Sequence, residues 1–167
     1  MVKRMLLVNT ALYGGYLLVS GPVRLMYKKY FTLDSSSSIT GPLFCHFSHT
    51  SPINFAANFA ALYTVGHWHA KTFGCSHFAQ VAGLSAAVAS LWGLYHVRNN
   101  NGQVIAGSTA MSTGLVTYNL MKNPHWFTTM RLHPGVWLFA FLTYGSFNQD
   151  VAALAGVAGG FLATLLI

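Results

Sequence analysis

The chain has 167 residues, of which 53% are hydrophobic and only 7% charged, and nine Lys and Arg against two acids give a formal charge of +7. A soluble domain is about one quarter charged. Here the cations stand singly between apolar stretches rather than in one patch, which argues against a nucleic-acid-binding module and for an integral membrane protein whose basic balance suits anionic headgroups.

The length fits one domain, residues 1–167. Residues 5–21 form the first apolar segment; Tyr13, Gly14 and Gly15 interrupt it and no small-x-small site follows, so it reads as a retained span rather than a signal peptide. Pro22 ends it, and Arg24, Lys28 and Lys29 anchor its far end. A loop follows with Asp34 and the serines 35–38. Ser51-Pro52 is a helix start, a cap residue with proline in the first turn. The second span runs from there to Gly66, and Asn54, Asn58, Leu62 and Gly66 step along one face of it. Amides on such a face are costly unless they look into a protein interior.

Residues 78–95 are the third span, 98–103 a polar turn, 104–121 the fourth span, 134–147 a short fifth and 151–167 the sixth. Small residues recur at four-residue spacing, Gly156 with Gly160 and Gly107 near Ser108 and Ala110; Gly66, Gly107, Gly114, Gly156 and Gly160 are the expected points of close helix packing. Cys45 and Cys75 make no disulfide framework, and no Cys/His spacing fits a metal. The eight histidines fall near predicted span ends and read as interfacial, headgroup-contacting groups; no mid-span pair suits haem. Thr109, Ser112 and Thr113 read as hydroxyls bonded to the preceding turn's carbonyls.

The order of these features resembles the rhomboid intramembrane protease family. The family's second-helix pattern falls on His49, Asn54, Asn58, Leu62 and Gly66, its following glycine, small residue and aromatic on Gly74, Ser76 and Phe78, its fourth-helix pattern on 107–115, and its sixth-helix pattern on Ala153, Gly156 and Gly160. The resemblance implies an all-α integral membrane fold, a rhomboid-like bundle of about six transmembrane helices. It also places the family's nucleophile at Thr109, its base at Ala153 and its oxyanion histidine at Asn54, with only Asn58 retained and Ala110 where a glycine follows the nucleophile. A hydroxyl without a base is a poor nucleophile, and Ala153 accepts no proton. The expectation is therefore an inactive scaffold without catalytic residues, cofactor or metal.

Two functions fit such a scaffold. The first is a structural or accessory subunit of a larger membrane complex of the respiratory-chain or ATP-synthase type. The second is a client-binding pseudoprotease of membrane-protein quality control or import. The compartment implied by the resemblance is the mitochondrial inner membrane, and the expected partners are other membrane subunits and phospholipid, anionic species included, with no nucleic acid.

Overall fold

The structure, a computed structural model, describes residues 1–99, 105–123, 125 and 151–167. Helix α1 spans Val2–Leu18, and its interior face is Val2, Leu6, Asn9 and Tyr13. Gly21, at φ +53, turns the chain into α2, Gly21–Phe31, with Pro22 in its first turn. Val23, Met26, Tyr27, Tyr30 and Phe31 form a helical stripe along a groove shared with Ala11, Leu12 and Gly15 of α1 and with Val19 just beyond it. The serine loop is tied to Asp34: Ser36 N and Oγ each donate to Asp34 Oδ1 at 2.7 Å, and Thr32 Oγ1 donates to Oδ2 at 3.3 Å. Burial alone would raise this carboxyl, but the bonds from Ser36, Ser37 and Thr32 outweigh it and hold the carboxyl below its usual range.

A short α3, Gly41–Phe44, and a 3-10 turn, Cys45–Phe47, lead to α4, Pro52–Ala61. Ser51 caps α4 by accepting from the Asn54 amide N–H at 3.5 Å. The coil then loosens into a π turn at Leu62–Gly66 and continues without a break as α5, His67–Phe73. Gly74, at φ +97, stops it, and α6 begins at once, Cys75–Asn99. Helix α7 is Thr109–Lys122 and α8 is Val151–Leu166. Leu33 and Ile105 pair as an isolated antiparallel bridge, with N–O distances of 2.9 and 2.8 Å, and this clamps the loop before α7 onto the loop after α2.

Helix α8 packs against both α6 and α7. The seam is built from small residues. A Cβ on Gly156 would come within 2.7 Å of the Ala110 Cα, one on Gly160 within 2.8 Å of the Gly114 Cα, and one on Gly159 within 2.5 Å of the Ser85 Cα. Gly114 faces the Ser85 side chain, and Gly66 lies under Phe78. Gly114, Gly156 and Gly160 thus sit where backbone approaches backbone, whereas Gly66 meets the Phe78 and Val2 side chains.

The six-span expectation is corrected. Among the described residues, Cys75–Val97 is the one helix long and apolar enough to cross a membrane, and Ala152–Leu166 is apolar but shorter. The reasons are local. Helix α1 has 17 residues and opens on Lys3 and Arg4. The second segment passes through Gly66 into the polar His67–Phe73, with a π turn between. The fourth segment yields a helix of only 14 residues, because residues 105–108 are spent on the bridge and on Gly107 at φ +110. The proposed fifth span, 134–147, and most of the turn at 98–103 lie outside the described residues.

Candidate functional site

Of the positions singled out on the second-helix pattern, His49, Asn54 and Asn58 converge at the start of α7, while Gly66 lies against Phe78. Ser48 is buried and its hydroxyl donates to the Phe31 carbonyl, which fixes the loop that presents His49. His49 Nδ1 donates to Asn54 Oδ1 at 3.0 Å. Asn58, one turn on, donates from Nδ2 to the Asn54 carbonyl at 2.9 Å and to Asn54 Oδ1 at 3.1 Å. The same Asn58 amide donates to Thr109 Oγ1 at 3.0 Å, and Asn54 Nδ2 reaches that oxygen at 3.5 Å. Gly107 passes directly over Asn54 and His49, where a Cβ would collide with Asn54 Oδ1. Its amide donates to the Cys45 carbonyl at 2.7 Å. A positive φ and this close approach together require glycine there.

Ala153 is buried on α8, and its carbonyl accepts from Thr113 Oγ1 at 3.3 Å. Thr113 also donates to the Thr109 carbonyl at 2.8 Å, which bears out the back-bonding expected of that hydroxyl. Ser112 departs from that expectation, its Oγ being buried without a protein partner, and Thr109 is different again, since its oxygen accepts from amides that cannot take its proton. Burial pushes the His49 imidazole below its ordinary value, against the opposing bond to Asn54, so the ring is neutral near pH 7.

Sequence reasoning missed Asn9. It is 1% exposed and donates from Nδ2 to Ser108 Oγ at 3.3 Å, joining α1 to the head of α7. A lone amide in an apolar segment was the available signal.

It also misplaced several histidines. His46 is buried and donates from Nε2 to Ser90 Oγ at 2.8 Å, and the Ser90 hydroxyl in turn donates to the Pro42 carbonyl at 2.6 Å. Burial pushes His46 down to about 4. His69 is fully buried rather than interfacial. Its Nδ1 donates to Asn119 Oδ1 at 2.9 Å, which leaves Nε2 to accept from His77 Nδ1 at 3.0 Å. His77 Nε2 in turn accepts from the Tyr118 hydroxyl at 2.9 Å. The four side chains form one directed chain, Tyr118 to His77 to His69 to Asn119, with Phe73 stacked 5.3 Å from His77. His67 and Lys71 are exposed at the surface of the same helix. Among the described residues, no group of three or more His, Cys, Asp or Glu is placed to hold a metal.

Compared with known proteins, the sequence matches no family model and no curated protein.

Proposed function

We propose that the protein is a membrane-embedded, non-catalytic subunit of a larger membrane assembly, related to the rhomboid proteases but without their chemistry. The observation that carries this reading is the pairing of fully buried polar side chains with large exposed apolar ones. Asn9, Asn58, Asn119, His69, Ser85, Ser108 and Ser112 are each at most 1% exposed. Leu18, Leu91, Tyr95, Leu165 and Leu166 are at least 68% exposed. Water would favour the reverse. Exposed apolar side chains over an interior that holds polar groups beside its apolar clusters suit lipid and neighbouring subunits, with Cys75–Val97 the helix of spanning length among the described residues.

The non-catalytic part rests on Thr109. Its hydroxyl is held by two amides, and an alanine methyl stands at position 153. The inner mitochondrial membrane and a respiratory-chain or ATP-synthase type of assembly are the setting drawn from the resemblance.

Alkaline extraction of membranes, followed by native electrophoresis and mass spectrometry of the band, tests the reading. The protein should stay with the membrane and migrate in fixed stoichiometry with one large complex. A monomer released into the soluble fraction would sink it. Cleavage of a transmembrane substrate that is lost in Thr109→Ala would overturn the non-catalytic assignment.

A further inference from the structure

We propose that the end of the molecule where α1 begins and α5 runs is a binding site for the phosphate of an anionic phospholipid. The inference rests on the membrane reading above and names a lipid ligand for it. A cavity of about 450 Å³ opens there, lined by Lys3 and Arg4 of α1 and by His67, Ala70 and Lys71 of α5, with Cys75 at its edge. A second recess, lined by Tyr63, Thr64 and Trp68, shares His67 and Lys71 with it. Three fixed cations from two elements thus face one concavity. No carboxylate answers them among the described residues, because Asp34 is bound by its own serine loop. The first turn of α1 holds no acid and no side-chain cap, so its amide dipoles add to the positive field.

The apolar surface continues from this mouth. Phe59, Tyr63, His67 and Lys71 repeat at four-residue steps and are exposed. The Phe59 and Tyr63 rings stack at 6.5 Å with 6° between planes, and Tyr63 and His67 at 6.3 Å with 29°. The π turn, Leu62–Gly66, lies within this row. On α1, Leu7 and Val8 follow Lys3 and Arg4 by one turn and are 69% and 46% exposed. A cationic mouth above two exposed apolar rows fits a phosphodiester headgroup with acyl chains lying along the helices. A free phosphate would use the mouth and leave the rows bare.

The test is equilibrium binding of a fluorescent phosphatidic acid and a fluorescent phosphatidylcholine to the purified full chain in non-ionic detergent, with inorganic phosphate as competitor. Phosphatidic acid should bind at least tenfold tighter than phosphatidylcholine. Each of Lys3→Gln, Arg4→Gln and Lys71→Gln should cost roughly fivefold, the contribution of one cation near a lipid surface. Phe59→Ser with Tyr63→Ser should weaken lipid without touching the cations. Arg24→Gln with Lys28→Gln, on α2, serves as the control for general charge loss and should change little.

Unchanged affinity in the Lys3, Arg4 and Lys71 triple variant would overturn the site. Equal losses in the α2 control would show a diffuse charge effect and overturn it too. Competition by inorganic phosphate as strong as by lipid, with no effect of the Phe59 and Tyr63 changes, would overturn the lipid assignment. Circular dichroism of each variant separates lost binding from lost folding. The membrane reading fails by a different readout, release on alkaline extraction, so the two failures are distinguishable.

Discussion

Helix α7 carries a polar cluster at each end, and the two are built differently. At its head, Thr109 is approached by short amides from one neighbouring segment, Asn54 and Asn58, one helical turn apart. At its tail, Tyr118 and Asn119 take part in a chain of rings that runs through α5 and α6 before returning to α7. The head cluster is local on one side and leaves polar atoms over: His49 Nε2 and Asn58 Oδ1 are buried without a protein partner. The tail cluster uses both nitrogens of His69 and both of His77, and leaves the Asn119 Nδ2 group over. Its direction is fixed, because the Asn119 oxygen can only accept. The tail should therefore contribute more to holding α5, α6 and α7 together, and the head should tolerate change better.

Four experiments break or sharpen that comparison. The largest effect belongs to neither cluster but to the seam that seats α7. Gly156→Val would drive a side chain into the Ala110 backbone, which cannot retreat as a flexible side chain could. Overpacking typically costs about 1–3 kcal/mol, and more where backbone is struck, so both clusters should be lost together. Thermal unfolding in detergent reads this directly, and a wild-type melt would show that the seam does not position α7.

Next is His69→Leu. It strands the buried Asn119 oxygen and the His77 donor at once. Leaving a buried partner unsatisfied costs about 1–3 kcal/mol for each group, so His69→Leu should melt well below Asn58→Leu. The reverse order would refute the contrast drawn between the two ends.

Acid provides a third measurement. His46 is held neutral by burial and its folded pKa is lowered to about 4 from an ordinary 6.5. Its unfolded form binds a proton first, so the stability it contributes is full above about pH 6.5 and is lost as pH falls toward 4. By pH 5 the loss is on the order of 2 kcal/mol. His46→Gln should be less stable at pH 7.5 yet should flatten this dependence. A variant as acid-sensitive as the parent would assign the effect to other groups.

The smallest effect is at the head. Asn58→Leu removes the 3.0 Å bond to Thr109 and leaves the longer one from Asn54. A net cost of about 1 kcal/mol is expected. The double cycle with Thr109→Val should show coupling of at least about 0.5 kcal/mol, and additivity would mean that the contact carries no energy.

The head cluster was legible because its spacing lies within one helix. Asn54, Asn58, Leu62 and Gly66 fall on one face by helical geometry alone, and all four turn toward the interior, with Asn58 and Leu62 at most 1% exposed. Thr109 was legible only through a resemblance, since fifty-one residues separate it from Asn58. The tail cluster was hidden for the same reason. His69 and Asn119 are fifty residues apart, and nothing local says that His69 turns inward while His67 turns out.

The sequence by itself determined the helical character, the inward amide face, the start of α4 at Ser51-Pro52 and the glycine contact points. Each is a matter of propensity, capping or period within one segment. Only the tertiary structure decided where helices end and which polar groups meet. The Leu33–Ile105 bridge shortens the segment before Thr109, and the run from Pro52 to Phe73 passes through a π turn that no apolar count reveals. Apolar content measures how much surface a segment can hide. What it is hidden against, another helix or a lipid tail, depends on contacts between residues far apart in the chain, and a hydropathy window does not see them.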